Sequence, residues 1–287
     1  MKSKVYFTKN ITSEGLVNIY KVLGKELKGN VAVKIHSGEP GGNHFVKPDF
    51  MKPLIEYVNG TIVECNTAYE GKRYKSEDHW KVMQEHGFTD IAKVDILDEE
   101  EDIELPVKNG RFLKSNYVGS HIEKYDSFLI LSHFKGHAMG GFGGALKNIS
   151  IGLASSFGKA YIHGAGVPEE LWTAEQDSFL ESMAESASTI VDYAKGNIVY
   201  INVMYNLSID CDCDSNPHPP QMADIGILAS LDPVALDKAC VDLVYAAKDE
   251  GKKHLIKRME EKHGIHTIEK ACELGIGLKE YELEEID

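Results

Sequence analysis

Short runs of Val, Ile, Leu and Phe alternate along this chain with stretches whose apolar residues recur every three to four positions. The first pattern reads as buried strands and the second as amphipathic helices. Strands are expected at 4–9 (KVYFTK), 31–36 (VAVKIH), 60–65 (GTIVEC), 92–97 (AKVDIL), 127–132 (SFLILS), 197–205 (NIVYINVMY) and 224–230 (DIGILAS). Helices are expected at 14–26, 49–58, 76–86, 143–154, 168–195 and 232–247. Acidic residues in the first turn support the starts at Ser76 and Pro168, and Asp232 before Pro233 reads as a cap for the last helix, because both complement free N–H groups. Asp237, one turn into that helix, reads as solvated. Strands alternating with helices predict an α/β fold, with a mainly parallel sheet and helices on both faces. Residues 97–115 read as an acidic turn and a hairpin reversing at Asn109-Gly110. The chain is expected to form one α/β domain, with possible lobes 1–97 and 118–287 joined by that hairpin. The end, KEYELEEID, reads as an edge strand.

Charge changes this picture at one place. The chain carries 45 acidic residues among 287 and a formal charge of −14. Composition alone predicts about six acids between Ser127 and Pro168, yet there are none. That window holds His133, Lys135, His137, Lys147, Lys159 and His163, together with Gly136, Gly140, Gly141, Gly143 and Gly144. A strand end, a glycine loop and a helix start are where backbone N–H groups can hold an anion. The glycines equally suit tight reversal and close helix–sheet packing. Lys147, early in the expected helix, opposes the dipole unless an anion offsets it. It is a candidate catalytic residue with His133 and His137, either of which can act as proton shuttle, ligand or structural donor.

Three further polar clusters follow expected strands. His36 and Glu39 follow the second, and Asn66, Tyr69 and Arg73 follow the third. Asp210 to Asp214, with Cys211 and Cys213, follows the long strand. Ligands of open α/β sheets bind outside the strand carboxyl ends, so one shared cleft is expected. Its candidate substrate-binding residues are His36, Glu39, Asn66, Tyr69, Arg73, Lys135, Gly140, Gly141, Gly143, Gly144 and Asn148. The anion itself is assigned to Lys135, Lys147 and Arg73. Cys211 and Cys213, with His218 nearby, suit a divalent metal, zinc or iron. The same residues also suit a tight turn with aspartate caps and packed thiols. His79 and His86 read as packing or solvated histidines.

The acidic balance disfavours nucleic acid or an anionic membrane as a partner. No apolar run reaches a membrane span, MKSKVYFTKN lacks a signal-peptide core, and five irregularly spaced cysteines argue against a disulfide framework. A cytoplasmic protein is expected.

Residues 132–155 (SHFKGHAMGGFGGALKNISIGLAS), 36–42 (HSGEPGG), 64–73 (ECNTAYEGKR), 79–88 (HWKVMQEHGF), 210–220 (DCDCDSNPHPP) and 224–244 (DIGILASLDPVALDKACVDLV) resemble domain-of-unknown-function family 362, over nearly the whole stretch from Val31 to Val244. The resemblance implies an iron–sulfur-centre protein family whose reaction is not established. Longer members carry a ferredoxin-type insertion of C-x-x-C-x-x-C runs. Here 158–170 passes directly into the next helix, so a ferredoxin-type iron–sulfur cluster on this chain is not expected, and electron delivery would need a separate ferredoxin-like partner. The glycine loop also resembles that of the lactate racemase family, in which a lysine carries a nickel-pincer cofactor. Lys147 would be its counterpart. Three functions remain open: a metal-dependent enzyme acting on a small anionic carboxylate or phosphate metabolite, a non-catalytic metal or cofactor carrier working with a redox partner, and a metal-free anion or nucleotide sensor.

Overall fold

The computed structural model describes residues 2–287. In chain order its elements are β1 (Ser3–Thr8), α1 (Ser13–Val22), β2 (Val31–Lys34), α2 (Pro48–Tyr57), β3 (Gly60–Glu64), α3 (Ser76–Glu85), β4 (Val94–Ile96), β5 (Asp102–Pro106), β6 (Ser115–Gly119) and β7 (Ser127–His133). They continue with β8 (Lys135–His137), β9 (Gly141–Gly143), α4 (Ala145–Ile149), α5 (Ser156–His163), α6 (Gln176–Ala194), β10 (Ile198–Met204), β11 (Gly226–Ser230), α7 (Pro233–Ala246), α8 (Lys252–Glu261), α9 (Ile265–Glu273) and β12 (Tyr281–Glu285). All seven expected strands form, and the chain end supplies the edge strand β12.

The eight-stranded sheet has the order β12-β1-β11-β10-β7-β2-β3-β4. Five neighbours, β10 to β4, run parallel, and β11 runs antiparallel to both β10 and β1. Strands β2, β7 and β10 are buried along their whole length, as their unbroken apolar runs require when helices cover both faces. One face packs Leu16, Ile19, Met51 and Leu54 from α1 and α2, and the other packs residues of α4, α6, α7 and α9. The acidic segment forms the β5–β6 hairpin, with Asn109 in the left-handed region. Strands from both sides of it interleave in the one sheet. Among the described residues, no helix is long and apolar enough to cross a membrane.

Two expected helices differ from the structure. The one placed at 143–154 stops at Ile149 and restarts after Ser155, whose side chain caps α5. The one placed at 168–195 is a single 3-10 turn at Pro168–Glu170, followed by α6 with Glu175 as its cap. The sequence reading missed α8 and α9, whose apolar positions are sparse among charges.

Asp237 is fully buried rather than solvated. Its carboxylate accepts from the Ala145 and Leu146 N–H groups at 2.8 and 3.0 Å and from the Asn202 amide at 2.8 Å. A Cβ on Gly144 would stand 2.4 Å from this carboxylate, so glycine here permits the close approach of α7. The anion at the start of α4 is therefore supplied by the protein itself. Asp237→Ala leaves three buried donors without an acceptor, and urea unfolding should show a loss of about 3 kcal/mol. An unchanged midpoint and slope would refute this role for the carboxylate.

Candidate anion and metal site

Strands β10, β7, β2 and β3 lie side by side, so their carboxyl ends deliver four loops to one edge of the sheet. Between those loops lies a cavity of about 200 Å³. Its wall includes His36, Tyr69, Arg73, His133, Lys135, His137, Gly143, Gly144, Lys147, Asn148 and Cys213. The expected convergence therefore occurs, and Cys213 and Lys147 share one hollow. Glu39 and Asn66 stand behind the wall, bonded to Arg73 and His79 respectively.

The glycine loop is a small hairpin, β8–β9, rather than an open anion cradle. The Met139 and Gly140 N–H groups both donate to His137 Nδ1, at 3.2 and 2.9 Å. Those of Ala145 and Leu146 go to Asp237. Gly140 and Gly141 lie outside the cavity lining, while Gly143 and Gly144 line it. Gly136 has a separate function. A Cβ there would meet the Ile209 carbonyl oxygen at 2.3 Å, so its absence lets β8 lie against the segment that carries Cys211.

Five cationic side chains line the cavity: Lys34, Arg73, Lys135, Lys147 and Lys159. Three are already paired. Lys34 meets Glu64 at 2.7 Å, Arg73 meets Glu39 at 3.1 Å, and Lys135 meets Asp212 at 2.9 Å. Arg73 also donates to the Tyr69 hydroxyl, so its planar fork is largely committed within the wall. Among the described residues, Lys147 and Lys159 face no carboxylate within ion-pairing distance, and the Lys159 ammonium donates to the Ala154 carbonyl at 2.5 Å. Of the three cations expected to hold an anion, Lys147 alone remains uncommitted. Lys159 joins it although the sequence reading had not placed it in the site. These two cations are left without a carboxylate partner among the described residues.

His133 is also committed. Its Nδ1 meets Asp212 at 2.8 Å and its Nε2 meets the Tyr205 carbonyl at 2.7 Å, which leaves no ring nitrogen for a ligand. Burial pushes His137 down to about 4, helped by the Lys147 charge. His79, fully buried between Asn66 and Ser37, is pushed down to about 3, again by burial first. Burial alone would raise the Asp212 carboxyl, but His133 and Lys135 hold it well below the usual carboxylate range. Lys34 does the same for Glu64.

His137, Cys211 and Cys213 bring three ligand atoms within 4.8 Å of one another, a group that can hold a metal ion. His218, expected among the ligands, lies outside it: the ring is 71 % exposed and pairs with Asp210 at 2.8 Å. The backbone turn after Cys211 carries His218 outward to solvent. The Cys213 thiol's hydrogen bond, aided by Lys135, His137 and Lys147 against burial, holds Cys211 well below the ordinary thiol range. The same hydrogen bond, with burial, pushes the Cys213 thiol well up. Once both have lost their protons, two thiolates fit zinc or iron chemically. His137 fits less well as a third ligand. Its Nδ1 accepts two N–H bonds, so the neutral ring carries its hydrogen on Nε2, the nitrogen left to face an ion.

The buried carboxylates set a pH window. Asp212 and Glu64 titrate lower in the fold than in the unfolded chain, so their stabilisation is full above about pH 4 and is lost as pH falls below it. His137, neutral in the fold, adds loss from about pH 6.5 downward, because the unfolded ring takes up a proton first. Asp212→Asn should cost about 3 kcal/mol at pH 7, since it strands the buried Lys135 and His133. It should also flatten the acid limb between pH 4 and 2.5 in denaturant unfolding. A variant that keeps the wild-type limb would show that another group sets it.

Comparison with known proteins adds the following. Among solved structures, the chain is similar to the lactate racemase apoprotein from Thermoanaerobacterium thermosaccharolyticum, with 14% identity over 71% of this chain and 51% of that one and a TM-score of 0.42. It is also similar to a structural-genomics target protein from Thermotoga maritima, with 16% identity over 91% of this chain and 57% of that one and a TM-score of 0.45. The chain spans a little over half the length of these two proteins. No curated protein matches it. The family pattern of Domain of unknown function (DUF362) matches residues 31–242, and the chain belongs to that family.

Proposed function

We propose that this chain is an enzyme that binds a small carboxylate or phosphate metabolite at Lys147 and Lys159, beside a zinc or iron ion held by Cys211 and Cys213. The observation that carries this reading is the pair of lysines left without carboxylates in a cavity whose other three cations are each neutralised. An ammonium facing a small hollow is stabilised by an anion placed there. The two lysines would bind and orient the acid group. His137 Nε2 would hold or move a proton, its ring fixed by the N–H bonds to Nδ1. A soft divalent ion, when bound, supplies Lewis-acid polarisation of a substrate oxygen.

Anion binding is tested by thermal melting with inorganic phosphate and acetate. Wild-type protein should melt higher with at least one of them, as expected when a ligand binds only the fold. Lys147→Met and Lys159→Met should each lose most of that shift while keeping the melting temperature in plain buffer. A shift that survives both changes removes the lysines from the site.

Metal binding is tested by elemental analysis of protein purified without chelators. About one zinc or iron per chain is expected, falling to background in Cys211→Ser and Cys213→Ser. Metal that stays in both variants places the ion elsewhere. Stoichiometric metal with no turnover of any small acid would favour the non-catalytic carrier.

A further inference from the structure

The cavity lining combines two unlike kinds of side chain. Its cationic part is Lys147 and Lys159, and its remaining wall includes Ala138, Met139, Ile151, Leu171 and Trp172. Trp172 is 63 % exposed, the most exposed of the large apolar side chains, yet it lines this cavity. It sits between the 3-10 turn at Pro168–Glu170 and the start of α6, where the expected long helix is interrupted. Its ring lies 6.3 Å from that of Tyr69, tilted by 48°. Tyr69 is fixed in turn: its hydroxyl donates to Glu39 at 3.3 Å and accepts from Arg73 at 3.2 Å. A held aromatic ring and an uncovered indole thus stand together on the wall of a pocket that also holds two ammonium groups without a carboxylate partner among the described residues.

We propose that the ligand of this cavity is an aromatic acid, a single flat ring carrying one carboxylate or phosphate, whose ring packs on Trp172 while its acid group reaches Lys147 and Lys159. This inference rests on the anion reading above and adds the chemistry of the ligand's other end. A compact inorganic anion would satisfy the lysines and leave the indole in water. A neutral ring would cover the indole and leave the lysines bare. At about 30 Å³ per water molecule, a hollow of this size holds about seven waters, which leaves room for one ring and its acid group. Ring-on-ring contact beyond simple burial is worth enough to shift affinity about tenfold.

Isothermal titration with acetate and with benzoate tests this directly. Wild-type protein should bind benzoate about tenfold more tightly than acetate. Trp172→Ala should erase that preference and leave acetate binding unchanged, and Trp172→Phe should restore most of it. The residue is exposed, so both variants should fold, and the acetate isotherm checks that they have. Trp80→Phe leaves Trp172 as the sole tryptophan, and its fluorescence should respond to benzoate and not to acetate. Equal affinity for the two acids in wild-type protein, or a preference that survives Trp172→Ala, overturns the aromatic-acid assignment while leaving the anion site standing. If neither acid nor inorganic phosphate binds, the anion reading fails and this inference fails with it.

Discussion

A charge buried without a partner costs several kcal/mol, and the site is built around that constraint. The acid-free window brings three histidines and three lysines to the carboxyl ends of the sheet, a concentration of positive charge that needs neutralising. Carboxylates arrive from elsewhere in the chain. Asp212 meets Lys135 and His133, and Asp237 caps the helix that carries Lys147. Outside the window, Glu64 meets Lys34 and Glu39 meets Arg73. What remains after this internal pairing is Lys147 and Lys159, the two cations on which the proposed anion site rests.

The parallel sheet makes this pairing possible. Four adjacent parallel strands end on the same side, so residues separated by more than a hundred positions, such as Glu39 and Asp212, reach one wall. The Glu39 N–H even donates to the Asp212 carbonyl at 2.8 Å, tying the loop after β2 to the loop that carries the cysteines. Charge pairing and chain crossing therefore fix the same place. Loss of one pair would both strand a charge and loosen a loop that lines the cavity.

The strands were legible because buried parallel strands are continuous Val, Ile and Leu runs, a pattern set by local geometry and independent of contacts elsewhere. The grouping of Cys213, Lys147, Tyr69 and His36 was legible for a related reason, since strand carboxyl ends share one edge. The occupied state of those groups was not legible. Nothing near Lys135 in sequence announces Asp212, and Asp237 reads as solvated until α4 is seen packed against α7. The glycine loop misled in the same way: its open backbone looked free to hold an anion, whereas its N–H groups are spent on His137 and Asp237. Lys159, named in the acid-free window but not assigned to the site, and Trp172 were not singled out because a lysine in a helix and an exposed indole become informative only when both line one cavity.

The cysteine pair shows how local turns decide chemistry before any ligand arrives. His36 and His137 both influence Cys211. Each has Nδ1 engaged by backbone N–H groups from its own loop, Gly38 at 3.0 Å for His36 and Met139 and Gly140 for His137. The neutral rings therefore keep their hydrogens on Nε2. Donors of this kind stabilise a thiolate, as does the neighbouring Lys135. The same tautomer makes both rings poor ligands as they stand. The Cys211 sulfur is prepared to be negative, Cys213 is pushed up and keeps its proton, and the imidazoles beside them are prepared to donate. The donating tautomer follows from two short turns, His36 to Gly38 and His137 to Gly140.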